Sequence, residues 1–92
     1  MRAFSLAHLS DQELLRSLAR LVVQHRATTA AMLAHIAEVD ARRLYAPAGY
    51  PSMHWYCVRE LKLSDDAAFK RIHAARVARK FPAILEALEG GD

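Results

Sequence analysis

Apolar side chains recur at alternating spacings of three and four residues over the first half of the chain. This spacing places them on one face of an α-helix, as in the seam of a coiled coil. Residues 11–45 contain no glycine and no proline that would interrupt a helix. The pattern therefore predicts one long helix, or two collinear helices, over these residues. The positions of the seam are Leu15, Leu18, Val22, His25, Thr29, Met32, Ile36 and Val39.

The predicted helix has a defined start and one weak point. Ser10 and Glu13 form a capping-box pattern, so the helix should begin at Asp11. Residues 24–29 combine polar and β-branched side chains of mediocre helix propensity, so any break should fall near His25. An unbroken helix would be roughly 50 Å long, which exceeds the width of a compact domain of this size. The helix is therefore expected to fold back near His25 or to pack along a second copy of itself.

A short amphipathic helix, a three-residue break and a longer basic helix follow in the second half of the chain. Ser52 can cap the first of these helices, at residues 53–61, and Ser64 can cap the second, at residues 65–80. This order is typical of a helix-turn-helix, in which the second helix lies in a major groove of DNA. Two aspartates at the start of the second helix do not fit that role well, since they would face phosphate repulsion.

Two proline-containing breaks complete the predicted outline. Residues 46–51 contain two prolines and a glycine, which cannot continue a helix and should form a rigid corner. Pro82 is well placed to open a short last helix that ends at the glycines near the C-terminus. Because no segment has the period of a strand, residues 1–92 are predicted to form one all-α domain. It should consist of a long N-terminal helix or helix pair, then a helix-turn-helix-like unit and a short C-terminal helix in residues 52–92.

Basic side chains are concentrated in the second half of the chain. From Arg59 to Lys80 there are seven Lys or Arg residues and three acids, within a chain whose net charge is only +3. On a helical wheel, Ala68, Ile72 and Ala75, with Phe69 beside them, form the stripe that should be buried. Double-stranded DNA is the partner that this distribution favours. The candidate DNA-binding residues are Lys70, Arg71, His73, Arg76, Arg79 and Lys80.

A second interpretation assigns the long helix to self-association. Its seam has eight positions at coiled-coil spacing, more than one short domain needs. In this hypothesis the chain is a dimerisation or protein-interaction module, and the basic stretch is solvated surface. The two hypotheses are compatible, because dimeric helix-turn-helix proteins read paired half-sites. The positions assigned to dimerisation are Leu15, Leu18, Val22, His25, Met32 and Ile36.

Candidate catalytic and metal-binding groups are few. His25 and His35 are ten residues apart, and His54 and His73 fall on different predicted helices, so no zinc site is expected. His54 and Cys57 share a helix face, but no third orienting group and no glycine-rich turn accompany them. We therefore predict that the protein is not an enzyme and has no catalytic residues, metal, cofactor or small-molecule substrate.

Four aromatic side chains cluster around the corner and the short helix. They are expected to lock the corner onto the helical core, although a surface for stacking on single-stranded bases is an alternative. The cluster consists of Tyr45, Tyr50, Trp55 and Tyr56.

The chain has none of the features expected of a membrane or secreted protein. No apolar run approaches the roughly 18 residues of a membrane span, and the N-terminal residues lack a hydrophobic signal core. The single cysteine, Cys57, excludes an intramolecular disulfide and is expected to be a buried thiol. These features favour a cytoplasmic protein without a membrane partner.

Two short sequence elements in the second half are distinctive. The first is Gly49-Tyr-Pro-Ser52, and the second is Ala74-Ala-Arg76 followed by Phe81-Pro82. Together with the run from Val39 to Tyr45, they resemble the helical region that precedes an HNH endonuclease domain in many proteins of myxobacteria and their relatives. The likeness extends over most of the chain and implies an all-helical module that accompanies DNA cleavage.

This resemblance stops short of the nuclease itself. The sequence contains no His-Asn-His metal motif, so neither the nuclease activity nor the metal of that family is expected here. The chain is then either part of a longer protein or a free-standing version of the helical module.

Overall fold

The computed structural model describes residues 5–90, and within that range every regular element is a helix. The predicted all-α fold, with a long N-terminal helix followed by shorter helices, is confirmed. A short second helix continues without a break into a π-helical turn at Tyr56–Glu60. The four α-helices are α1 at Asp11–Arg42, α2 at Met53–Trp55, α3 at Asp65–Lys80 and α4 at Ala83–Gly90.

The long helix α1 is unbroken and begins where its capping box predicts. The Ser10 hydroxyl accepts a hydrogen bond from the backbone N–H of Glu13, and the Glu13 carboxylate accepts one from the backbone N–H of Ser10, both at 3.2 Å. At the other end, Arg43 takes a left-handed φ of 55° and its N–H reaches the carbonyl of Asp40, which closes the last turn. Of the alternatives that the sequence left open, a break or fold-back near His25 is wrong, because the helical hydrogen bonding continues through that residue.

The core of the protein is built on the C-terminal half of α1. Alanine on both α1 and α3 lets the two helix backbones approach closely, so that the larger side chains fill the space between them. The leucines of α4 pack against this cluster from the side. The buried cluster consists of Leu33, Ile36 and Ala37 from α1, Met53 from α2, Cys57 from the π-helical turn, and Ala68, Ile72 and Ala75 from α3.

The N-terminal half of α1 projects from this core. All the buried residues of α1 lie between Ala30 and Ala37. With 32 residues the helix is about 48 Å long, which accounts for the 50 Å longest dimension of the molecule. The radius of gyration is 16.8 Å, whereas a compact chain of this length would have about 12 Å. Half of the longest helix therefore lies outside the packed body.

The corner between α1 and α2 has the local conformation that its sequence predicts. Gly49 has a φ of 95°, a conformation in which a side chain would be strained. The N–H of Tyr50 donates to the carbonyl of Tyr45 at 3.0 Å and closes the turn. Ser52 and Ser64 then cap the helices that follow, each accepting a hydrogen bond from the backbone N–H three residues later.

Two side chains expected in the core are instead exposed. Phe69 is 68% exposed, because it is turned about 100° from Ala68 around α3, and α1 and α2 pack on the alanine side. Trp55 is 43% exposed and lies under the guanidinium of Arg59, 5.0 Å from the ring centre. Met53 of α2 and Cys57 of the π-helical turn occupy the core in its place. The other three aromatics of the cluster are partly buried, and Tyr45 and Tyr56 pack against the core.

Candidate interaction surfaces

An apolar stripe runs along one side of the projecting half of α1. Its members are three or four residues apart, which places them side by side on the helix surface. Each is 41–66% exposed, and no other element among the described residues covers them. We call this surface the N-terminal stripe. It consists of Leu14, Leu15, Leu18, Leu21 and Val22.

The N-terminal stripe and the core share a single face of α1. Ile36 is 18 residues, or five helical turns, beyond Leu18, so the two side chains point in the same direction. Leu18 is 58% exposed and Ile36 is 4% exposed. The apolar face is therefore continuous along α1, but α3 and α4 cover only its C-terminal part.

The six residues assigned to dimerisation fall into two groups, one exposed and one belonging to the core. Leu15, Leu18, Val22 and His25 lie on the projecting half and are exposed. Ile36 is buried in the core of the chain itself, and Met32 packs partly buried against it. The role assigned to these two residues is therefore corrected from dimerisation to core packing, because the helices that follow in the chain cover that half of α1.

The stripe also contains two residues that the predicted seam omitted. Leu14 and Leu21 flank Leu18 at spacings of four and three residues, and both are exposed. Their signal was present in the sequence, because a second set of three-and-four spacings passes through Leu18. A coiled-coil seam follows a single narrow line along the helix, so it leaves out the apolar residues on either side of that line. The apolar face of an amphipathic helix is often wider than 100° and includes them.

Arg76, one of the six candidate DNA-binding residues, joins α3 to α1. Its Nε lies 2.9 Å from Oδ2 of Asp40, and its Nη2 lies 3.1 Å from Oδ1, which is a bidentate arrangement. The hydrogen bonds from Arg76 hold the pKa of the Asp40 carboxyl below its ordinary value. The Asp40 side chain is only 17% exposed, so this pair is better shielded from water than the other ion pairs of the protein's described part.

Two further candidate cations are also paired with acids. Arg79 donates to Glu38 of α1 at 3.2 Å, and Arg42 donates to the same carboxylate at 2.8 Å. The hydrogen bond from Arg42, followed by that from Arg79, lowers the pKa of Glu38. On α3 itself, the Nζ of Lys70 lies 3.0 Å from Asp66, and both side chains are about three-quarters exposed. Exposed pairs of this kind contribute little and are readily exchanged for other partners.

Of the remaining three candidates, two share an exposed face of α3 and one does not. His73 and Lys80 are exposed, and Arg71 is half-buried. Within residues 5–90, none of these three is within ion-pair distance of an acid. The charge available to a nucleic acid on α3 is therefore smaller than the count of its basic residues indicates.

A mixed groove of about 270 Å³ lies between the start of α2 and the outer face of α3. His54, at its edge, has its Nε2 3.1 Å from a carboxylate oxygen of Asp65. The groove thus places two imidazoles, a phenyl ring and a guanidinium near one another. Its lining consists of Ser52, Met53, His54, Phe69, Ile72, His73 and Arg76.

The single thiol of the chain is buried, and the side chain of His54, three residues before it, lies against an aspartate. Cys57 is fully buried, as predicted, and burial raises its pKa, so the thiol stays protonated near neutral pH. His54 is directed to Asp65. Across the described range 5–90, no three His, Cys, Asp or Glu side chains come close enough to hold a metal ion together.

No protein-family model matches this chain, and searches of curated proteins and of solved structures returned no match. The resemblance to the helical region of HNH endonuclease proteins therefore stays a prediction. None of the helices within residues 5–90 combines the length and apolarity needed to cross a membrane.

Proposed function

We propose that this protein is an oligomerisation module that assembles through the N-terminal stripe of α1. The observation that carries the proposal is the exposure of five large apolar side chains on one face of a projecting helix. Soluble monomers rarely expose contiguous apolar patches larger than a few hundred Å², and such patches mark interaction sites. Fully burying an exposed Leu or Val side chain contributes about 1.5–3 kcal/mol. The five side chains are about half exposed, so each can contribute roughly half of that, which together still supports a specific contact.

The helical state of the projecting half is a second argument for a partner. In proteins most helical stability comes from tertiary packing of an amphipathic face rather than from intrinsic propensity. Residues 11–26 form about four turns with little packing from the rest of the described chain. The capping box at Ser10 stabilises only the first turn. A second helix lying along the stripe would supply the missing apolar contacts.

The test is the molar mass in solution as a function of concentration, measured by light scattering or sedimentation. We expect the wild-type chain to exceed the monomer mass, and Leu18→Glu to remain a monomer. Val23→Glu is the matched control, because Val23 is 57% exposed on the same half-helix but about 140° around from Leu18. A monomer mass for the wild type up to its solubility limit would contradict the proposal. So would equal reductions of mass in the two variants.

A second candidate function is DNA binding by the outer face of α3. Lys70, His73 and Lys80 lie together on this exposed face, and α3 follows the short second helix in a helix-turn-helix-like order. The resemblance to the helical region of HNH endonuclease proteins supports the same function, as a non-enzymatic module accompanying DNA cleavage. Two copies joined through α1 would present two such faces to one duplex, which connects this candidate to the first.

Fluorescence anisotropy with a labelled duplex at low salt tests this second candidate. We expect Lys70→Ala combined with Lys80→Ala to weaken binding. The slope of log affinity against log salt concentration should also fall by about one for each phosphate that is no longer neutralised. Arg20→Ala is the control, since Arg20 is an exposed cation on the projecting helix and, among residues 5–90, donates a hydrogen bond only to its neighbour Ser17. DNA binding by α3 is excluded if the wild type does not bind, or if Arg20→Ala weakens binding as much as the double variant.

A further inference from the structure

We propose that the N-terminal stripe pairs with the same stripe of a second copy of this chain, with the two helices antiparallel and crossing at Leu18. The inference rests on the proposed oligomerisation and adds the partner's orientation and register. Three features of the projecting half support it: the symmetry of the stripe, the position of the core, and the charges at the two ends of the stripe.

The stripe is symmetric about Leu18. On the helical wheel Leu14 and Leu21 lie on one flank of Leu18, and Leu15 and Val22 lie on the other. The midpoint of each pair falls within half a residue of position 18. An antiparallel two-fold crossing at Leu18 therefore places Leu14 beside Leu21 of the second copy, and Leu15 beside Val22 of the second copy. Every member of the stripe then meets an apolar side chain, as a self-complementary interface requires.

The position of the core distinguishes antiparallel from parallel pairing. From Ala30 onward, the face of α1 that continues the stripe is covered by the chain's own α3 and α4. A parallel partner in register would direct its own C-terminal half, with its attached helices, into that occupied space. In the antiparallel arrangement the C-terminal half of the partner points away from the core of the first copy. The two cores then lie at opposite ends of the helix pair and do not collide.

The charges at the ends of the stripe favour the same orientation. Asp11 lies seven residues before Leu18, and His25 lies seven residues after it, followed by Arg26. Antiparallel pairing brings Asp11 of each copy near His25 and Arg26 of the other. Parallel pairing would place acid against acid and base against base.

Disulfide trapping of the full chain tests the orientation. The wild type is a suitable background, because Cys57 is fully buried and should not cross-link. We expect Leu18→Cys to form a disulfide-linked dimer under mild oxidation, since equivalent residues at a two-fold crossing come within the Cα separation of about 4.4–6.8 Å that a disulfide needs. Asp11→Cys alone should not cross-link, whereas Asp11→Cys combined with His25→Cys should. Val23→Cys, on the other side of the helix, gives the background rate of cross-linking by random collision.

The outcomes separate this inference from the proposed function. If the wild type is oligomeric but Asp11→Cys cross-links by itself, the helices are parallel and the inference is wrong while the oligomerisation stands. If Leu18→Cys links no faster than Val23→Cys, the register is wrong. If the wild type is a monomer by light scattering, the proposed oligomerisation fails, and this inference fails with it.

A charge exchange gives an independent check. Asp11→Arg should weaken the dimer roughly fivefold, because each dimer contains two such contacts and exposed ion pairs have small coupling energies. Adding Arg26→Asp should restore most of the affinity. In a parallel pair Asp11→Arg would exchange one like-charge contact for another and leave the affinity nearly unchanged, and that result would overturn the proposal.

Discussion

The two halves of α1 have the same apolar periodicity and opposite surroundings. In the C-terminal half the apolar face is buried against α3 and α4, whereas in the N-terminal half the same face is open to solvent. Leu18 and Ile36 lie in line on one helix, yet one is mostly exposed and the other is in the core. The comparison shows that an amphipathic pattern specifies which face of a helix is to be covered, but not which element covers it.

The residue types in the two halves also differ. Residues 27–42 contain six alanines and one leucine, whereas residues 11–26 contain one alanine and four leucines. Small side chains let the neighbouring helices of the same chain pack closely, and large ones form a ridge that suits insertion between the side chains of another helix. This difference in side-chain size distinguishes the half of α1 that packs within the chain from the half through which we propose that the chain assembles.

We expect the largest difference in the free energy of unfolding between matched Leu→Ala variants in the two halves of α1. Leu33→Ala removes a buried side chain from the core, so we expect a decrease of about 2–5 kcal/mol in the free energy of unfolding. Leu18→Ala removes the same atoms from an exposed position, so its cost in the monomer should be below about 1 kcal/mol. Urea denaturation at low protein concentration measures both.

Measuring Leu33→Ala and Leu18→Ala again at high protein concentration tests whether the N-terminal stripe is an interface. If the stripe is an interface, Leu18→Ala should become more destabilising as the concentration rises, because binding to a partner adds to the stability of the folded chain. Equal destabilisation by the two variants at low concentration would mean that the projecting half is packed in the monomer, contrary to the structure.

The second prediction concerns the ion pair that joins the C-terminal half of α1 to α3. Asp40→Asn should lower the free energy of unfolding by about 1 kcal/mol at neutral pH, a modest value because the Arg76 guanidinium is still largely exposed. Arg20→Ala, in the projecting half, should have almost no effect, since in the described part of the chain the side chain of Arg20 bonds only to Ser17 of its own helix. Thermal or urea unfolding of the two variants provides the comparison.

The pH dependence of this pair has a definite sign. The folded-state pKa of Asp40 lies below its ordinary value of 3.8, so the pair stabilises the folded state fully at pH values above that. The stabilisation disappears as the pH falls from there through the folded pKa. The wild type and Asp40→Asn should therefore converge in stability under acidic conditions. A difference that grows on acidification would contradict the assignment.

The smallest expected difference in global stability is the one between variants of the two helix N-caps. Ser64→Ala removes the cap of α3, a helix that is packed into the core, and should cost about 1 kcal/mol of global stability. Ser10→Ala removes the cap of the projecting half, where the first turns can fray without disturbing the core. Its effect on global unfolding should be a few tenths of a kcal/mol at most. Amide hydrogen exchange near residue 13 should nevertheless accelerate, and unchanged exchange there would argue against independent fraying.

Local signals in the sequence account for most of the secondary structure. The capping box at Ser10, the corner with Gly49 and the cap at Ser64 each specify a conformation through bonds to near neighbours in the chain. For the same reason, the last helix begins within one residue of its predicted start at Pro82. Contacts of this range can be inferred from residue type and spacing alone.

The sequence by itself thus determined which segments are helical, where the capped helices begin and the existence of a long apolar face on α1. The predicted end of α1 at residue 45 is wrong, since the helix ends at Arg42, and the predicted short helix at 53–61 is an α-helical turn followed by a π-helical one. The tertiary structure decided which part of that face is core, that Phe69 and Trp55 lie outside it, and that Arg76 and Arg79 are paired with acids of α1. These outcomes depend on contacts between residues far apart in the chain. Periodicity assigns a side chain to a face of its own helix, whereas burial and charge pairing depend on which other helix packs against that face.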